Sequence, residues 1–132
     1  MTRADELLAL AAKLETAGEG GFILSREVIN RLGYSWRGMA YWFHDDSHVW
    51  AKGTSPTVSV DDALALVPEG VGSTSLSVML QRTWEGRGRV RLIDSLGGQN
   101  WEGEADTPAL ALCAAALRAR AALAAIKTGA AA

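Results

Sequence analysis

Residues 76–120 read LSVMLQRTWEGRGRVRLIDSLGGQNWEGEADTPALALCAAALRAR, and this stretch decides the fold. Its opening has a period of two: Leu76, Val78, Leu80 and Trp84 alternate with Ser77, Met79, Gln81 and Thr83. Such alternation belongs to a strand with one face in a core and the other in water. Glu85-Gly86-Arg87-Gly88 reads as a turn, after which Val90, Leu92 and Leu96 alternate with Arg89, Arg91 and Ser95. Gly97-Gly98 supplies a second tight turn, and residues 99–105, centred on Trp101, make a third strand. The pattern predicts a three-stranded antiparallel meander. Thr107-Pro108 then gives an N-cap followed by proline at the first helical position, where its missing N–H is not needed, and the helix continues to about Lys127.

Upstream, Leu7, Leu10, Ala11 and Leu14 recur at helical spacing within residues 4–17, behind Thr2 and Asp5 in capping-box positions. Gly18, Gly20 and Gly21 stop that helix. Ser25 is expected to cap a short second helix carrying Val28, Ile29 and Leu32, which Gly33 ends. Residues 34–57 hold Tyr34, Trp36, Tyr41, Trp42, Phe43 and Trp50 together with His44 and His48. Their periodicity is weak, which predicts a long loop with one short strand near Ala40–Phe43. Ser59 and Asp62 repeat the capping spacing and open a third helix, Val60–Leu66, closed by Pro68 and Gly70. The expected fold is therefore α+β: a small three- to four-stranded antiparallel sheet sandwiched between helices, in the order α-α-loop-α-β-β-β-α. The 132 residues suit one domain, with a flexible tail at 128–132.

Composition narrows the function classes. Hydrophobic residues make up 48% of the chain, enough for a packed core and too many for wholesale disorder. Thirteen Lys and Arg against fifteen Asp and Glu leave a net charge of -2, which disfavours duplex DNA as a partner. The single cysteine, Cys113, excludes an internal disulfide and fits a reducing cytosol. The charged opening Met1-Thr2-Arg3-Ala4-Asp5-Glu6 lacks the apolar run of a secretory signal. The most apolar region, 107–126, carries Arg118 and Arg120 near its middle, which argues against a membrane span. A cytoplasmic protein is expected.

The last helix has two apolar stripes. Leu110, Cys113, Ala114, Leu117 and Ala121 share one; Leu112, Ala116, Ala119, Leu123 and Ile126 form another on nearly the opposite side. Two arrangements would cover both: packing between the sheet and the first helix, or packing of the second stripe on another subunit, giving a homo-oligomer through the C-terminal helix.

The segments VDDALALVPEG at 60–70, WEGEA at 101–105 and TPALALCAAALRAR at 107–120 resemble the small phage and prophage proteins of the phage ABA-sandwich domain family. The resemblance spans the N-terminal helix and roughly residues 59–120. It implies a phage or prophage origin, hence the host cytoplasm, and a sheet layered between helices. It implies no reaction and no cofactor.

Candidate chemistry is sparse. His44 and His48 stand at i and i+4 beside Asp45 and Asp46, a spacing that on a helix could hold a divalent metal, but a third ligand is lacking. Cys113 lies in an apolar stripe, where a thiol is inert. No serine sits in a nucleophile elbow and no glycine-rich run has the lysine of a phosphate loop. Asp61-Asp62 reads as a helix cap, and Glu102 with Glu104 as a solvated strand face. What remains is Arg82, Arg87, Arg89 and Arg91 around Trp84, with Trp36, Tyr41 and Trp42 as further aromatics. Guanidinium forks match phosphate oxygens and aromatic rings stack on bases. These eight residues are the expected ligand site. Three functions follow. The first is a non-enzymatic protein binding a nucleotide-type small molecule, by class analogy with phage sponges that sequester the nucleotide signals of bacterial defence. The second is a protein-interaction module anchored by loop aromatics. The third is a metal-dependent hydrolase on His44 and His48.

Overall fold

Thr2 opens the first helix as its sequence predicts: its hydroxyl accepts the Asp5 amide at 3.1 Å, and the Asp5 carboxylate accepts the Thr2 amide at 3.1 Å. That helix is α1, Arg3–Thr16, in a computed structural model that describes residues 2–31, 35–36, 41–44, 48–51, 56–64, 66–67, 76–84, 86–94 and 99–127. Leu7, Leu10, Ala11 and Leu14 are its buried face.

The second helix, α2, spans Phe22–Arg31 and begins earlier than expected. Ser25 does not cap it. The Ser25 amide already bonds the Gly21 carbonyl at 2.9 Å, and its buried hydroxyl lies 2.6 Å from that of Thr57. Thr57 also returns its amide to Ser25 Oγ at 3.2 Å and its hydroxyl to the Gly21 carbonyl at 3.0 Å. A buried serine inside a helix is tolerated here because Thr57 satisfies it. Gly33 lies outside the described residues.

The aromatic segment differs from the expected loop. It contains three short strands, β1 Ser35–Trp36, β2 Tyr41–His44 and β3 His48–Ala51, paired antiparallel in that order. The strand expected near Ala40–Phe43 is β2. A brief helix, α3 Val60–Leu64, follows, with Ser59 Oγ accepting the Asp62 amide at 3.3 Å.

The second sheet is the predicted meander. Its strands β4 Leu76–Arg82, β5 Gly88–Asp94 and β6 Asn100–Ala105 pair antiparallel in sequence order. Between β4 and β5, Thr83 donates its amide to the Arg87 carbonyl at 2.8 Å and accepts that of Gly86 at 2.8 Å. Gly86 has φ +89, a conformation that suits glycine. The register sets Val78 opposite Leu92 and Leu80 opposite Val90 on one face, with Met79 opposite Arg91 and Gln81 opposite Arg89 on the other. Val90 and Leu92 are buried beneath α4, Pro108–Lys127, whose first turn is capped by Thr107 Oγ1 accepting the Leu110 amide at 3.2 Å.

Helix α4 is the centre of the molecule: it touches β5 and β6 on one side and α1 and α3 on others. Its alanines have a local cause. A Cβ on Gly103 of β6 would stand 2.2 Å from the Ala111 carbonyl oxygen and 2.8 Å from the Ala115 amide nitrogen, so helix and strand backbones nearly touch. Leu110, Cys113, Ala114, Leu117 and Ala121 are buried, and so are Leu112, Ala116 and Ala119 of the opposite stripe. Over residues 109–121 both stripes are thus occupied within one chain, while Leu123 of the second stripe is half-buried and the side chain of Ile126 lies outside the described residues. The α+β fold stands, with helices flanking a three-stranded antiparallel sheet. Among the described residues, no helix is long and apolar enough to cross a membrane.

Candidate functional site

Period-two alternation sends Arg89 and Arg91 to the face of β5 opposite Val90 and Leu92, as expected. The same alternation on β6 brings two carboxylates beside them, because the register pairs Arg89 with Glu104 and Arg91 with Glu102. Arg91 donates through Nε to Glu102 Oε1 at 2.8 Å, and its Nη2 is 2.6 Å from the same oxygen. Arg89 Nη2 reaches Glu102 Oε1 at 3.3 Å. These contacts, Arg91 foremost, hold the Glu102 carboxyl below its ordinary value of 4.5. Glu102 and Glu104 are therefore partners of the arginines and not merely a solvated face.

Arg87 is engaged in the same way. Its Nη1 lies 3.3 Å from Glu104 Oε2, its Nε 3.3 Å from Asp106 Oδ1, and its Nη2 donates to the Glu15 carbonyl at 3.1 Å. The network continues through a pair that sequence reading did not find. Arg118 of α4 forks onto both carboxylate oxygens of Glu15 at the end of α1. Its Nη1 also donates to the Glu102 carbonyl at 2.7 Å, and Glu15 Oε2 accepts the Glu104 amide at 2.8 Å. Arg118 holds the Glu15 carboxyl below 4.5, and Glu15 in turn raises the Arg118 guanidinium.

Four guanidiniums (Arg87, Arg89, Arg91, Arg118) thus face four carboxylates (Glu15, Glu102, Glu104, Asp106). A balanced network has little net pull on a phosphate, since an incoming anion must displace a carboxylate already in place. Its evident work is to tie α1, α4 and the sheet together.

The hairpin tip is different. Trp84 is 94% exposed. Arg82 is exposed and has no ion pair among the described residues. With Gln81, Thr83, Arg89 and Glu104 these two line a shallow concavity of about 330 Å³. Of the eight residues expected in a ligand site, the structure brings Arg82, Trp84 and Arg89 together there. It assigns Arg87 and Arg91 to the ionic network.

Trp36, Tyr41 and Trp42 belong to the other sheet, where Trp36 stands opposite Trp42 and Trp42 opposite Trp50. Their side chains lie outside the described residues, as do those of His44 and His48. The two histidines are not on a helix: they occupy facing positions of the β2–β3 pair. Asp45 and Asp46 lie outside the described residues.

Cys113 is buried, donates Sγ–H to the Pro56 carbonyl at 3.1 Å, and has its thiol pushed up to about 12 by desolvation. A thiol so placed is a packing element, not a nucleophile. Comparison with protein families, with curated proteins and with solved structures finds no match to the chain.

Proposed function

We propose that this is a non-enzymatic binding protein of phage type that engages a protein partner through the tip of the β4–β5 hairpin, with Trp84 as the anchor and Arg82 beside it. The observation that supports this reading is the exposure of Trp84. An indole in water forgoes the transfer free energy of about 150–250 Å² of surface, roughly 4–6 kcal/mol at 25 cal/mol/Å². Trp and Arg are also the side chains that dominate interface energetics when buried by a partner. The tip is held firmly by the Thr83–Arg87 hydrogen bond, so little ordering cost opposes binding.

The test is comparative capture from host lysate by the wild-type chain and by Trp84→Ala. A partner retained by the first and lost by the second supports the reading. Equal retention by both overturns it.

A nucleotide-type ligand is the second reading, favoured by one observation: the Arg82 guanidinium, without an ion pair among the described residues, and the Trp84 indole share the concavity. It is the weaker of the two because Arg87, Arg89 and Arg91 already hold carboxylates and the concavity is shallow. A thermal shift with cyclic or linear nucleotides that disappears in Arg82→Ala would favour it over the first.

A further inference from the structure

Strand β4 is an open edge. Among the described residues it has a hydrogen-bonded neighbour on one side only, β5. The Thr83 amide points at Arg87, and the register with β5 is unbroken from Arg82–Gly88 to Leu76–Asp94. By alternation the backbone groups of Ser77, Met79 and Gln81 therefore serve β5. Those of Leu76, Val78, Leu80 and Arg82 are left at the outer edge. Natural edge strands are usually blunted by charge, proline or a bulge. Here the seven residues LSVMLQR carry one charge, at the end, and no proline or bulge. Val78, Met79 and Leu80 are 36%, 42% and 47% exposed, so the middle of the strand is open as well as unpaired.

The order of these residues selects the occupant. About Met79 the strand is self-complementary in an antiparallel sense: Val78 meets Leu80 of the other copy, Ser77 meets Gln81, and Met79 meets itself. Over these five central positions apolar meets apolar and polar meets polar, and at the two ends Leu76 meets Arg82; each position stays on its own face of the sheet. The twofold axis then falls on a pair whose backbone groups already serve β5. The flanking Val78 and Leu80 exchange the free edge hydrogen bonds, which is the alternation an antiparallel ladder requires.

We infer that a second copy of this chain binds along β4, joining two three-stranded sheets into one continuous six-stranded sheet with its twofold axis at Met79. The interface is isologous and closes as a dimer. It is independent of the function read at the hairpin tip, and it sets the two tips at opposite ends of the joined strands. Arg82 ends β4 three positions beyond Met79 in each copy, so the two strand ends are about 20 Å apart at 3.4 Å per residue, with the tips beyond them.

Sedimentation of the full chain over a concentration series tests the association, and charge pairs at the axis test the register. Like charges directly opposite across a ladder repel and unlike charges attract. Met79→Lys alone and Met79→Glu alone are expected to be monomeric, and their equimolar mixture to recover the dimer. Met79 is exposed, so both variants should keep the wild-type far-ultraviolet circular dichroism. A cysteine probe adds a geometric check. Met79→Cys should cross-link to itself under mild oxidation, because directly opposed Cα atoms lie within disulfide reach. Gln81→Cys should not, since it faces Ser77 of the other copy. A wild-type chain that stays monomeric to millimolar concentration overturns the inference, as does a dimer unaffected by Met79→Lys, or one in which Gln81→Cys cross-links to itself as readily as Met79→Cys.

Discussion

Strands β4 and β5 carry the same alternating pattern and sit side by side, yet they end in different surroundings. Val90 and Leu92 of β5 are fully buried, while Val78 and Leu80, directly opposite them on the same face, remain well exposed. The cause is width. One helix about 10 Å across covers two strands spaced about 4.8 Å apart, and a third lies beyond its reach. Helix α4 sits over β5 and β6, and α1 packs beside it next to β6, while among the described residues no helix packs on β4 to a comparable extent. Alternation tells which way a side chain points. Whether anything lies above it depends on how many helices the fold can spend on the sheet.

This contrast can be broken or sharpened by substitution. The largest effect is expected on the covered side at Gly103→Ala, where the added methyl meets the Ala111 carbonyl and forces helix and strand apart. The loss should be about 3 kcal/mol or more in chemical denaturation. Leu92→Ala should cost about 3 kcal/mol by leaving a cavity under α4, and Leu80→Ala, measured on the dissociated chain, under about 1 kcal/mol. Equal losses at the two leucines would show that β4 is covered after all.

Glu15→Gln should cost about 1–2 kcal/mol at neutral pH, because Arg118 loses its charged partner in a site only partly open to water. The same pair predicts an acid response. The folded chain holds the Glu15 carboxyl below 4.5, so on acidification the unfolded chain takes up that proton first. Its contribution is complete above pH 4.5 and drains away as the pH falls through the lowered folded value. Stability followed from pH 6 downward should therefore decline less steeply in Glu15→Gln than in the wild type. The smallest effect on folding is expected at Trp84→Ala, within about 0.5 kcal/mol, although capture of the partner is lost. A large destabilisation there would mean that the indole packs on its own chain.

The meander and the last helix were legible because their signals are local: alternation over seven residues, and a Thr-Pro cap that needs no distant partner. The aromatic segment was not. Tyr41-Trp42-Phe43-His44 and His48-Val49-Trp50-Ala51 pair as strands, yet neither alternates apolar with polar, so the period that reveals a half-buried strand is missing. Ser25 misled for a related reason. Serine before an apolar run usually caps a helix, and only Thr57, 32 residues away, shows that this one lies inside α2. At the site, the arginines are legible in the sequence, and so is their neutralisation. It was available from the meander itself, since laying β6 beside β5 sets Glu102 and Glu104 against Arg91 and Arg89. The Glu15–Arg118 pair left no local trace in the sequence.

That pair joins residues 103 positions apart, and α4 is the element against which α1 packs most. During synthesis at about 5–20 residues per second, the apolar side of α1 therefore waits roughly 5–20 s before its main neighbour exists. The nascent chain passes through that interval with leucines uncovered, which makes it a target for early chaperone engagement. Expression at lower temperature, or with a trigger-factor-type holdase in excess, should accordingly raise the soluble fraction.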